Sequence, residues 1–148
     1  MTCVFAGDIS KIIYYKKILL YTYNMDKKQA QKLLMIYGEA WEKRDPELIL
    51  TIFTPDATYD DPHEPKNFGH DEIRAYWVNK VIGEQKDIHF TLLNTWVDGE
   101  TVVAEWKADF IDTKRNFKID MVEVAIFGTR EGKFSSLREY YKSIKTNL

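Results

Sequence analysis

Hydrophobic residues recur every three or four positions in the first half of the chain and every second position in the second half. Apolar residues spaced by three and four after Asp26 predict an amphipathic helix. Asp26 and Gln29 have the spacing of a capping box. Asp45-Pro46 predicts the end of this helix and the start of a second, because proline is favoured at the first helical position. A third helix is predicted after Gly69.

The change of period to two, from about Asp87, predicts β-strands. Asp98-Gly99 is a typical hairpin turn, and further turns at 112–116 and 128–132 separate strands predicted at 117–127 and 134–141. A short strand is predicted at 58–60. Three helices followed by a meander of long strands predict an α+β fold, with the helices packed on one face of an antiparallel sheet.

Residues 1–24 differ from the rest of the chain. They contain no Glu and repeat Ile, Tyr and Lys without a clean helical or strand period. We therefore predict an N-terminal extension at 1–24 that carries little fold information, a physiological start at Met25, and one domain at 25–148. A signal peptide is a weaker interpretation, because Met1 to Gly7 contains no Lys or Arg.

Composition and charge narrow the classes of partner. The 148 residues carry a formal net charge of −2, so nucleic acid is not an expected partner. No segment has the roughly 18 uninterrupted apolar residues of a membrane helix, so no membrane partner is expected. A single cysteine, Cys3, cannot form an intrachain disulfide, which favours a reducing compartment and a cytoplasmic location.

No metal site or cofactor is predicted. His63 lies near Asp60, Asp61 and Glu64, but this spacing matches no standard ligand motif. The chain also has no glycine-rich phosphate loop.

Glu123 is the most informative polar position. It alternates on one strand face with five apolar residues, so an inward-facing strand would bury its carboxyl group. Burial of an unpaired carboxylate raises its pKa. The alternatives are a position at a wet barrel mouth or in a dimer interface. The face comprises Phe117, Ile119, Met121, Glu123, Ala125 and Phe127.

Three more residues are candidates for the same site. Asp61 follows a short strand and precedes Pro62, and its alternative role is a turn aspartate that bonds to its own loop. Glu139 shares a strand face with Leu137 and Tyr141, or else pairs with a surface base such as Arg138. Tyr37 on the first helix could donate a hydrogen bond to these acids, or serve only in the core.

Two segments, 56–62 and 69–77, carry a family resemblance. Their sequences, DATYDDP and GHDEIRAYW, resemble the nuclear transport factor 2-like superfamily and, within it, the SnoaL-like and ketosteroid isomerase group. The resemblance extends over about 27–144. It implies a cone-shaped half-barrel, in which a curved antiparallel sheet packs against three N-terminal helices, and a pocket for a small hydrophobic molecule.

The resemblance also implies roles for three residues. Asp61 matches the general base that precedes a proline, and Tyr37 lies upstream at the spacing of the family's oxyanion tyrosine. Glu123 matches the second oxyanion acid, where the family has Asp. These residues imply proton transfer next to a carbonyl group, as in an isomerase or cyclase. We expect the substrate to contact Trp41, Trp77, Trp106, Phe127, Leu137, Glu139 and Tyr141.

Two other functions remain open. The first is non-catalytic ligand binding or a homo-oligomeric scaffold, since the face bearing Val122, Val124 and Ile126 is apolar enough for a sheet-to-sheet homodimer. The second is epoxide hydrolysis, because Arg138-Glu139 resembles part of the limonene epoxide hydrolase site. Lys107 to Asp109 is the only candidate for the rest of that site.

Overall fold

The computed structural model describes residues 9–14 and 24–148. Residues 9–14 are helical and exposed, and residues 1–8 and 15–23 of the predicted N-terminal extension lie outside the described residues. The helices of the domain are α1 (Lys27–Lys43), α2 (Pro46–Leu50) and α3 (Gly69–Tyr76), which continues as a π-helical segment over Trp77–Ile82. The strands are β1 (Phe53–Asp60), β2 (Asn67–Phe68), β3 (Gln85–Asp98), β4 (Thr101–Asp112), β5 (Phe117–Arg130) and β6 (Lys133–Asn147).

The predicted helix starts are confirmed by their hydrogen bonds. The backbone amide of Gln29 donates to Asp26 at 2.7 Å, and the amide of Asp26 donates to the Gln29 side chain at 3.0 Å. Asp45 accepts from the amides of Glu47 and Leu48 at the start of α2. These bonds satisfy amide groups that a helix leaves unpaired in its first turn.

The six strands form one curved, unclosed sheet in the order β2-β1-β6-β5-β4-β3, which confirms the predicted α+β architecture. All neighbouring pairs are antiparallel except β1 with β6, which are parallel. The predicted strand at 58–60 is only the end of β1. Phe53 and Pro55 also belong to this strand, which therefore starts earlier than predicted. A register shift between Phe53 and Thr58 accommodates the proline, which cannot donate a ladder hydrogen bond.

Strand β3 keeps its predicted alternation only in its first half. A register shift between Leu92 and Asn94 exchanges the two faces beyond that point. Strict alternation would place Trp96 on the buried face of Ile88, but Trp96 is exposed and Thr95 is buried.

The core lies between the inner face of the sheet and the helices. Alternate residues of β4 and β5 point inward as predicted, and Glu123 is among them. Helix α1 packs closely on β3 at Gly38, where the ring of Phe90 occupies the space that a Cβ atom would need. None of the described helices is long and apolar enough to cross a membrane.

Candidate active site

A cavity of about 410 Å³ lies between the inner face of the sheet and the helices. Its wall combines aromatic rings from the helices and strands with carboxyl groups from β5, from β6 and from the residue that follows β1. The residues that contribute these groups are Tyr37, Trp41, Tyr59, Asp61, Tyr76, Trp77, Glu123, Glu139 and Tyr141.

Asp61 is held at the cavity by three hydrogen-bond donors. It follows β1 directly, and Pro62 prevents the strand from continuing. The Tyr76 hydroxyl donates to Oδ2 at 2.7 Å. The Tyr141 hydroxyl and the backbone amide of His63 donate to Oδ1, at 3.2 and 2.9 Å. Asp61 is an acceptor in all three contacts, so its two oxygens are fixed in orientation.

Glu139 forms a compact ring with two tyrosines. The hydroxyls of Tyr37 and Tyr59 lie 2.8 and 2.7 Å from Glu139 Oε1 and 2.8 Å from each other. All three side chains are buried. Burial, followed by the Glu139 charge, raises the pKa of both tyrosine hydroxyls well above the ordinary value.

A proton on Glu139 completes this ring. Three contacts between three oxygen atoms need three protons, and the two hydroxyls supply only two. Burial and the neighbouring charge of Asp61 raise the pKa of Glu139 to about 8, against the lowering effect of the two tyrosine hydrogen bonds. The raised pKa favours the protonated carboxyl group, which is the form that can donate into the ring.

Glu123 lies on the middle of β5, directly across from Trp106 on β4. Its side chain is buried, and Oε1 has no hydrogen-bond partner among the described residues. Burial, and then the charges of Glu139 and Asp61, raise its pKa well above the ordinary value, while the Trp106 indole opposes this rise. The indole N–H of Trp106 is itself without a hydrogen-bond partner in the described part of the chain. Glu123 is thus a buried carboxyl group with a raised pKa, which favours its neutral form, and with one oxygen atom that has no partner among the described residues.

Charged residues at the cavity edge are paired with one another. Lys80 lies 2.5 Å from Glu64 and 3.4 Å from Glu84, and Arg115 lies 3.2 Å from Asp112. These pairs, together with the buried acids, give the cavity a more polar wall than the sequence predicted.

Comparison with known proteins places this cavity in a family. Residues 36–137 match the SnoaL-like domain. The chain belongs to this family. No curated protein matches the sequence.

Solved structures share the SnoaL-like fold of the chain. A protein from Catenulispora acidiphila with a ketosteroid isomerase-like fold, in complex with trimethylamine, is 19% identical with a TM-score of 0.68 over 74% of this chain and 85% of that chain. An epoxide hydrolase of M. tuberculosis, described as LEH-like, is 14% identical with a TM-score of 0.64, over 78% and 84%. A putative polyketide cyclase from Sinorhizobium meliloti is 18% identical with a TM-score of 0.60, over 74% and 94%.

The cavity of this SnoaL-like domain contains most of the predicted site residues. Asp61, Tyr37 and Glu123 all line it, as do Trp41, Trp77, Glu139 and Tyr141. Trp106, Phe127 and Leu137 do not line it, because they are fully buried in the core behind the wall. Tyr37 was expected to act together with Glu123, but its hydroxyl contacts Tyr59 and Glu139 instead.

Two tyrosines of the site were not predicted. Tyr59 lies two residues before Asp61, so strand alternation could have placed both on one side of the strand. Tyr76 was predicted only as part of a helix face, and its contact with Asp61 spans 15 residues of chain. No spacing rule in the sequence indicates this contact.

The residues suggested for epoxide hydrolysis do not meet in the cavity. Glu139 points inward, but Arg138 and Lys107 are exposed. Asp109 contacts His89 at 3.1 Å, away from the cavity wall. Among the described residues, no three His, Cys, Asp or Glu side chains are arranged to hold a metal ion.

Proposed function

We propose that the cavity catalyses proton transfer at a carbon next to a carbonyl group, the reaction type of isomerases and cyclases. The observation that carries the proposal is the contrast between two carboxyl groups on one cavity wall. Asp61 accepts three hydrogen bonds, whereas the buried Glu123 has a raised pKa and a free oxygen atom. Two carboxyl groups whose environments differ in this way are suited to opposite roles in acid–base catalysis.

In this proposal Asp61 is the general base. It removes a proton from the carbon next to the substrate carbonyl, which requires a carboxylate at hydrogen-bond reach of that proton. Tyr76 and Tyr141 are positioning residues, because their hydroxyls hold the two oxygens of Asp61 in place. Fixing the base in this way reduces the reorganisation that the reaction needs.

Glu123 is the proposed donor to the carbonyl oxygen. A neutral carboxylic acid can donate a hydrogen bond to that oxygen while negative charge develops on it. Burial raises the pKa of Glu123, which favours its neutral form, and its side chain lines the cavity. Tyr37 becomes a second donor only when the ligand replaces Tyr59 or Glu139 as its hydrogen-bond partner.

The substrate class follows from the wall and the volume. A cavity of about 410 Å³ with rings from Trp41, Trp77 and Tyr76 suits a small cyclic or aromatic carbonyl compound. One structural neighbour is named a putative polyketide cyclase, and this supports the cyclase form of the proposal.

Exchange of carbon-bound hydrogen tests this proposal without knowledge of the natural substrate. Small cyclic ketones are incubated with the protein in D2O, and loss of the proton next to the carbonyl is followed by NMR. We expect wild type to accelerate exchange and Asp61→Asn to lose about 10²–10⁴-fold of that acceleration. Asp120→Asn on the outer face of β5 is the matched control and keeps the wild-type rate. Equal exchange rates with Asp61→Asn and wild type would rule out Asp61 as the base.

We also propose that the protein is a homodimer formed through the outer face of the sheet. Exposed apolar side chains of β5 and β6 lie next to each other on this face, where Val122 is 50% and Ile144 66% exposed. Val124 and Tyr140, which are cross-strand partners, extend the same face. An apolar sheet face of this kind is typical of an interface between identical subunits.

A further inference from the structure

The wall of the cavity is aromatic on several sides. Tyr37 and Trp41 come from α1, Tyr76 and Trp77 from α3 and its π-helical extension, and Tyr141 from β6. The faces of such rings carry negative electrostatic potential and attract cations, most strongly where water is excluded.

Three carboxyl groups in the same wall have no basic partner. Asp61, Glu123 and Glu139 form no ion pair with any Lys, Arg or His in the described part of the chain. Lys80 and Arg115, which also line the cavity, are paired with acids at its edge. The positive charge of these two side chains is therefore not directed at the buried acids.

Glu123 adds to this acidic cluster a buried carboxyl oxygen without a partner in the described part of the chain. Its side chain is 3% exposed and lines the cavity, yet Oε1 has no hydrogen-bond partner. Most buried polar atoms in proteins have such a partner. A cation in the cavity beside the Glu123 side chain would balance the charge of its carboxylate and so take the place of the proton on the carboxyl group.

We propose that this cavity binds a compact organic ammonium ion, with the aromatic rings against its alkyl groups and the Glu123 carboxylate beside its positive charge. Rings offer faces to alkyl groups but no lone pairs to a metal ion, so the wall favours an organic cation. The proposal concerns binding and does not depend on catalysis at Asp61.

Calorimetric titration with a pair of isosteric probes tests the proposal. Choline and 3,3-dimethylbutan-1-ol have the same shape, and only choline is charged. We expect choline to bind the full-length protein at least about tenfold more tightly than the neutral isostere. Both probes bury the same surface, but only choline adds a cation–π contact and a contact with the carboxylate charge. Tetramethylammonium is expected to bind as well.

Two acid-to-amide variants on the same strand locate the site. We expect Glu123→Gln to weaken choline binding by at least about tenfold and to leave binding of the neutral isostere unchanged. Asp120→Asn lies on the opposite face of the same strand and should keep wild-type affinity for choline. Thermal unfolding shows whether each variant is folded. If a variant does not fold, the comparison of choline with the neutral isostere in wild type still tests the proposal. Equal affinity for both probes, absence of binding by both cations, or equal effects of the two variants would overturn the proposal.

Discussion

Glu123 can donate a hydrogen bond to the substrate carbonyl oxygen only in its neutral form. A side chain that replaces Glu123 must therefore supply a donor proton and does not need a charge. Glutamine can donate a hydrogen bond from the same position, whereas leucine cannot. We expect Glu123→Gln to slow ketone exchange by less than about tenfold and Glu123→Leu to slow it about 10²–10³-fold. The rates are measured by NMR in D2O. Equal losses in the two variants would contradict a role as hydrogen-bond donor.

The pH dependence of the Glu123 variants adds a second readout. Ionisation at high pH removes the donor from wild type, so exchange should fall as the pH rises through the raised pKa of Glu123. Glutamine does not ionise, and Glu123→Gln should lose this fall. A fall of the same size in both proteins would assign it to another group.

Glu139 links stability to pH. The folded protein holds its proton up to about pH 8, whereas the unfolded chain releases it near pH 4.5. The contribution of Glu139 to the free energy of unfolding is therefore complete below about pH 4.5. It falls by about 1.4 kcal/mol per pH unit as the pH rises towards 8. Urea unfolding at pH 5, 6.5 and 8 should show a smaller decrease for Glu139→Gln than for wild type. Exposed Glu100→Gln is the control, and a wild-type slope in Glu139→Gln would contradict the predicted proton.

The sequence indicated residues that line the cavity better than it indicated their contacts. Asp61 and Glu123 could be found because each breaks a local pattern, one before a proline and the other on an apolar strand face. The partnership of Tyr37 with Tyr59 and Glu139 could not, since it joins residues 22 and 102 positions apart. Such contacts depend on how the sheet curves over α1, which hydrophobic periodicity does not specify.

At the level of elements, helix α1 positions the site through its contact with β3. Gly38 allows the two elements to approach, and an added Cβ atom would lie 2.2 Å from a ring carbon of Phe90. That ring also lies next to Tyr37, with 6.2 Å between ring centroids. A shift of α1 would therefore move Tyr37 within the cavity.

Gly38→Ala is expected to destabilise the protein by about 1–3 kcal/mol, the usual cost of overpacking. Gly83→Ala is the matched control, because its Cβ atom would make only an ordinary contact of 3.5 Å. Urea unfolding measures both. Adding Phe90→Leu to Gly38→Ala should recover part of the loss, and strict additivity of the two changes would contradict the proposed contact.

Strand β1 and strand β3 show why some elements were predicted only in part. Pro55 is typical of a turn, yet β1 tolerates it through a register shift in its pairing with β6. In β3 the shift after Leu92 reverses which side chains are buried. Both irregularities are set by neighbouring strands, so local sequence patterns do not reveal them.

For the whole molecule, the proposed homodimer depends on the outer face of the sheet. Burial of its apolar side chains should hold two chains together, and a charge at its centre should separate them. We expect wild type to have the mass of two chains in light scattering coupled to size exclusion, and Val122→Glu the mass of one. Gln31→Glu adds the same charge on α1 and should remain a dimer. A wild-type monomer would contradict the proposed interface.

The proposed function depends on a neutral carboxylic acid, Glu123, on the same cavity wall as Asp61. Carbon-13 NMR of the labelled side-chain carboxyl groups tests it directly, with the Glu123 resonance assigned from its loss in Glu123→Gln. We predict that this resonance keeps the chemical shift of a protonated acid through pH 7 and titrates well above the ordinary range for Glu. Titration of Glu123 near pH 4.3, as in an exposed glutamate, would contradict a neutral Glu123 at pH 7 and its proposed role as hydrogen-bond donor.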